Sequence, residues 1–127
     1  MYKVEISNGE LIDKYTILLI KKDKIKDNYK LNKVNQEINI LTNYIVKLNI
    51  NFNLTNLINK LKEINSKLWN IEDNIRIKEK NKEFDDEFIN LARSVYFTND
   101  DRAKIKLEIN NITKSEIIEV KSYEKYD

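Results

Sequence analysis

Two apolar seams constrain this chain more than any other feature. Leu31, Val34, Ile38, Leu41, Ile45 and Leu48 recur at alternating steps of three and four, and so do Leu54, Leu57, Leu61, Ile64, Leu68, Ile71 and Ile75. That spacing keeps apolar side chains on one stripe of an α-helix, as in coiled coils. No proline interrupts either run, and the one glycine, Gly9, lies outside both. The short segment Asn49-Ile-Asn-Phe-Asn53 separates them, so the seams predict an antiparallel hairpin of two long helices.

Further helices flank the hairpin. Ser7-Asn-Gly-Glu10 reads as a capping box, with the Ser7 hydroxyl accepting from a backbone N–H three residues on and Glu10 reaching back. A first helix follows to about Asp27, with Leu11, Ile12, Tyr15, Leu18, Leu19 and Ile25 on one face and Ile17 and Ile20 widening it. Lys21, Lys22, Lys24 and Lys26 read as its solvated C-terminal turn, where cations are favoured. Residues 81 to 83 read as a turn. Asp85 and Asp86 suit the start of a fourth helix to about Tyr96, with Phe84, Phe88, Leu91, Ala92 and Val95 inward. Thr98-Asn-Asp-Asp101 is a second start signal, with Thr98 or Asn99 as N-cap of a fifth helix to about Ile112. The tail Glu116-Ile-Ile-Glu-Val120 is β-branched, and Tyr2-Lys-Val-Glu-Ile6 alternates, so residues 2–6 and 116–121 are expected to pair as short strands. The expected fold is a single all-α domain over residues 1–127, an antiparallel bundle of four to five helices with terminal strands.

Several function classes are excluded or disfavoured. The 127 residues contain no cysteine and no histidine, so thiolate metal sites, disulfides and Ser-His or Cys-His nucleophile pairs cannot be built. Adjacent carboxylates such as Glu72-Asp73, Asp85-Asp86 and Asp100-Asp101 point about 100° apart on a helix and do not share one ion. There is no EF-hand spacing and no phosphate-binding glycine loop. No metal and no cofactor are expected, although a Mg²⁺ site assembled from two helices stays open. Net charge is +2 with 35% charged residues of interspersed sign, which makes nucleic acid an unfavoured partner. No segment approaches the ~18 apolar residues of a membrane span, and no signal peptide is evident, so the cytoplasm is expected.

Candidate residues emerge from compositional bias. Lys, Asn and Ile dominate, as A/T-rich coding would produce, whereas Trp69, Arg76, Arg93, Arg102, Ala92 and Ala103 run against that drift and crowd together. On the third helix, Glu72, Arg76 and Glu79 share one edge of the seam, with Asp73 next to Glu72 and Trp69 just beyond. They read either as a surface ion-pair ladder or as a half-buried boundary where the Arg76 fork could hold a carboxylate or phosphate. Arg93 and Tyr96 share the outer side of the fourth helix. Thr98, Asn99 and Arg102 form a corner that is either one buried Arg–Asp bond or an anion cradle at a helix N-terminus. Glu10, Asp13 and Lys14 are the candidates on the first helix.

Taken together, Gly9-Glu-Leu-Ile-Asp-Lys-Tyr-Thr-Ile17, Leu68-Trp-Asn-Ile-Glu-Asp-Asn-Ile-Arg76, Phe84 to Phe88, Leu91-Ala-Arg-Ser-Val-Tyr96, Thr98-Asn-Asp, Arg102-Ala, Ile109-Asn and Lys121-Ser-Tyr123 resemble a family of small proteins from bacteria and marine phages. That family is known only as a domain of unknown function. The resemblance spans nearly the whole chain and brings no assigned activity and no catalytic residues. It implies an association with glycosyltransferase and surface-polysaccharide genes, and the host cytoplasm for a phage-encoded member. Asn8 stands where the family often has proline. The leading expectation is a non-enzymatic helical module, monomer or homodimer, that binds a protein partner or a small anionic ligand. The alternative is a small all-α enzyme acting on a phosphorylated or carboxylated small molecule through Arg, Lys and Glu.

Overall fold

The computed structural model describes all residues, 1–127. Four helices form: α1 (Asn8–Lys24), α2 (Asn28–Ile45), α3 (Phe52–Lys80) and α4 (Asp86–Ile112). Each begins on an oxygen-bearing side chain that takes an otherwise unpaired N–H of the first turn. Ser7 accepts from Glu10 N at 3.1 Å, Asp27 from Lys30 N, Asn51 from Leu54 N and Asp85 from Phe88 N, each at 2.9 Å. Asp27 therefore opens α2 and does not extend α1, which stops at Lys24. The ends of α3 and α4 are Schellman motifs. Glu83 N donates to Lys78 O and Ser115 N to Asn110 O, with Lys82 and Lys114 in the left-handed region at φ 57° and 55°.

The helical class stands, but three expectations fail. The two seams do not pair with each other: α3 lies along α4, α2 lies on α1, and no Cα of α2 comes within 8 Å of α3. The reason is α1. It is apolar nearly all round and offers separate faces to α2, α3 and α4, so each seam finds a better partner than the other. The seams meet only at the linker, where Ile45 and Leu48 join Leu54 and Leu57. The second correction is the helix count. Thr98 sits inside α4, only 2% exposed, and no fifth helix starts there. A cap signal without a glycine or proline to stop the preceding helix is overridden when the buried face runs straight through it. Third, residues 2–6 and 116–121 form no strands. A lone pair of strands, with no third strand and no packed face, is marginally stable at best.

The core is thin. Ile12, Ile45, Leu54, Leu57, Leu61 and Ile109 form its centre, and only 18 of 127 residues are buried. The accessible surface is 9470 Å², about a third above the roughly 7,100 Å² of a compact 15.2 kDa monomer. No helix is long and apolar enough to cross a membrane.

Candidate functional site

The inner face of α1 carries a polar line at steps of four and three: Gly9, Asp13 and Thr16. Across it α4 presents Arg102, Lys106 and Asn110, one turn apart, and α3 presents Asn65. Asp13 is wholly buried. Arg102 grips it with both arms of its guanidinium, Nε donating to Oδ1 at 2.9 Å and a terminal nitrogen to Oδ2. Asn65 Nδ2 donates to Asp13 Oδ1 at 2.9 Å and to Thr16 Oγ at 3.0 Å. Lys106, 8% exposed, donates to Glu10 at 2.7 Å and to Glu119 at 3.0 Å, with Asp13 Oδ2 at 3.9 Å. At the end of the line Gly9 N donates to Asn110 Oδ1 at 2.6 Å. A side chain on Gly9 would place Cβ 2.5 Å from the Lys106 carbonyl oxygen, which is why this position takes glycine.

Electrostatically the hub is closed. Two cations face three carboxylates, and no buried side-chain polar atom lacks a partner. Burial pushes the Asp13 carboxyl up, but the hydrogen bonds from Arg102 and Asn65 and the charges of Arg102 and Lys106 outweigh it and leave it lowered. Burial likewise pushes Lys106 down, and Glu10, Glu119 and Asp13 more than offset it. Both groups hold their charge through neutral pH, so neither is poised to exchange a proton, which general acid–base work requires. No three carboxylates are placed to hold a metal ion.

The expected site residues divide. Glu10, Asp13 and Arg102 enter the hub; the corner expected around Thr98 does not form, and the Arg–Asp bond joins Arg102 of α4 to Asp13 of α1. Lys14 stays outside, 3.9 Å from Glu10. The anion cradle is absent, since the N–H groups near Thr98 and the half-buried Asn99 lie inside a helix. On α3 the surface form is found, but as a single pair: Arg76 meets Glu72 at 3.2 Å with a 79% exposed side chain, and Glu79 does not join them. Asp73 and Glu79 are also exposed, and Trp69 is half-buried. The α3 edge and the corner share no partner. Sequence reasoning missed Thr16, Asn65, Lys106, Asn110 and Glu119. Lys and Asn are so common here that neither stands out; only the turn-by-turn spacing from Arg102 could have pointed to Lys106 and Asn110.

A second cluster lies on the outer side of α4. Tyr96 and Phe97 are 42% and 40% exposed, the Arg93 guanidinium stands 5.6 Å from the Phe97 ring, and Tyr126 packs 5.4 Å and 5.2 Å from the two rings. The Tyr126 hydroxyl donates to Asp100, whose carboxylate pushes the phenol up to about 12. A third, around Lys78, is an ion-pair cap on the α3–α4 turn with Glu83, Asp85 and Glu87.

No curated protein and no solved structure matches the chain. A family model matches residues 2–126, so the chain belongs to the family of unknown function DUF6165.

Proposed function

We propose that this is a non-enzymatic helical docking module whose partner is a protein, engaged through the outer side of α4. The observation that carries this reading is the placement of Ile89, Arg93, Tyr96 and Phe97. They occupy one side of a capped helix, large and exposed, with the guanidinium already seated on an aromatic ring. Arg and aromatic side chains dominate the energetics of protein interfaces, and a rigid helix presents them at little entropic cost. The surplus accessible surface supports the same reading.

The small-anion version has less support. Arg102 is committed to Asp13, and Arg76 stands in solvent beside Glu72. The enzyme alternative would need a hub group free to react, and each is occupied. The family resemblance would place the partner in surface-polysaccharide or sugar metabolism, within a bacterial or phage-infected cytoplasm.

The test is a photo-crosslinking amino acid at Ile89 in the full chain, expressed in its own host, with the same group at Lys33 on α2 as control. A discrete protein adduct from position 89 that Arg93→Ala/Phe97→Ala abolishes is expected. No adduct, or the same adducts from both positions, overturns the surface. A small molecule copurifying in native mass spectrometry would favour the anion version instead.

A further inference from the structure

Residues 116–127 form no helix or strand, yet they turn back along α4. Glu119 reaches Lys106, and Tyr126 reaches Asp100, Tyr96 and Phe97. From Lys106 to Asp100 the helix advances about 9 Å and turns the anchor about 120° round its axis, a separation of roughly 15 Å between side-chain ends, whereas the seven residues from Glu119 to Tyr126 could span up to roughly 24 Å. The tail is therefore slack. It arches, and a space of about 680 Å³ lies between it and α4, lined by Tyr96, Asp100, Ala103, Lys121, Tyr123 and Tyr126 among others.

Beyond its root, where the Ser115 hydroxyl donates to Ile117 O at 2.7 Å, the tail is held by side chains at its two anchors, and no backbone–backbone hydrogen bond ties residues 116–127 to anything. The groups beneath it do not depend on it. Lys106 keeps Glu10 and Asp13, and the Tyr96 and Phe97 rings touch each other at 4.8 Å. The surface would persist with the tail lifted.

We propose that the path the tail follows over α4, from Lys106 at the hub round to Asp100 and Phe97 on the outer side, is a docking groove for an extended peptide bearing a carboxylate and, seven residues on, a tyrosine, and that the chain's own tail occupies it in cis. The tail reports the chemistry of the occupant: an anion for the Lys106 ammonium and a phenol for Asp100 and the aromatic pair. The anchors are few and the fit is loose, so a partner segment of the same chemistry competes with the tail, which must leave first. This deepens the docking reading above and rests on it for the existence of a protein partner.

The experiment uses the full-length chain and a fluorophore-labelled synthetic peptide of the sequence of residues 115–127, read by anisotropy. Glu119→Ala/Tyr126→Ala frees the groove without touching it. That variant should bind the peptide at least about tenfold more tightly than the unaltered chain, whose tail competes at high effective concentration. Adding Phe97→Ala and Asp100→Ala to it should abolish binding, as should the corresponding Glu and Tyr changes in the peptide. Equal binding to the unaltered and tail-weakened chains overturns the cis occupancy, and no binding to the tail-weakened chain overturns the groove. An unaltered chain that sediments as a dimer and becomes monomeric in Glu119→Ala/Tyr126→Ala assigns the groove to a second copy and also overturns the proposal. None of these results depends on the crosslinking at Ile89, so the groove can fail while the α4 docking surface stands.

Discussion

Asp13→Asn is the sharpest probe of the hub. The substitution keeps the shape of the side chain, removes its charge, and turns an amide donor toward groups that are themselves donors. Arg102 is left with one acceptor at best, and Lys106 loses a carboxylate 3.9 Å away. Breaking a buried pair by removing one partner costs about 3–5 kcal/mol. The Arg102 side chain is 28% exposed and can recover some water, so the lower end applies, ~3 kcal/mol. Total stability for a domain of this size falls in the range of roughly 5–15 kcal/mol, so the variant should fold with its urea midpoint strongly lowered. Arg102→Met should cost a similar amount, because Asp13 stays buried with only Asn65 and the more distant Lys106. The double variant removes both charges, so its cost should fall short of the sum by at least ~1.5 kcal/mol. Urea unfolding followed by far-UV circular dichroism at pH 7 measures all three. Single costs below about 1 kcal/mol, or costs that add within ~0.5 kcal/mol, would refute the picture of a tightly coupled buried pair.

Three further outcomes follow from the same geometry. Gly9→Ala should destabilise by roughly 1–3 kcal/mol in the same assay, because its Cβ would meet the Lys106 carbonyl oxygen and neither helix backbone can easily give way. Lys82→Gly and Lys114→Gly should each stabilise by about 0.5–1 kcal/mol, since glycine relieves the left-handed strain at two helix ends and gives back only part in unfolded-chain entropy. Stability should be level through neutral pH and fall in acid. The lowered carboxyls of Asp13 and Glu119 contribute fully above their ordinary values of 3.8 and 4.5 and lose that contribution as pH drops through their folded-state values. Lys106 is raised, so its contribution is complete below 10.5 and disappears only in strong alkali. Thermal unfolding from pH 2 to 9 checks this, and a midpoint that rises on acidification contradicts it.

Much of the fold was legible because helix signals are local. The Ser7 cap, both seams and the Asp85 start are read from a few neighbouring residues, and the helices follow. Pairing is not local. The α2 and α3 seams have the same spacing, so either could have faced the other, and nothing in the pattern reveals that α1 would separate them. Thr98 shows the same limit in miniature: a good cap residue becomes a buried helical residue once Val95, Arg102 and Ile109 carry one face past it. Compositional bias found Arg102, because arginine is rare in a lysine-rich chain. It could not find Lys106, which differs from the other lysines only in where the fold places it.

The hub also bears on how α1 finds its place. With Leu11, Ile12, Tyr15, Ile17, Leu18, Leu19 and Ile20 spread around it, hydrophobic burial alone favours no single rotation of this helix against α3 and α4. Asp13, Thr16 and Gly9 do, because only one rotation and one vertical setting satisfy Arg102, Asn65 and Asn110 together. Polar groups that fix register in this way need not add stability, and an apolar replacement of similar volume is often neutral or stabilising by ~1–4 kcal/mol. Asp13→Leu/Asn65→Leu/Arg102→Met should therefore keep most of its helix content and midpoint while its urea slope falls and it binds a hydrophobic dye, as a chain with several settings of α1 would. The half-buried Trp69 gives an independent reading, through broadened rather than shifted fluorescence decay. A triple variant with an unchanged slope, no dye binding and a single set of sharp NMR resonances would show instead that side-chain packing alone orients α1, and that the hub is ballast to the fold.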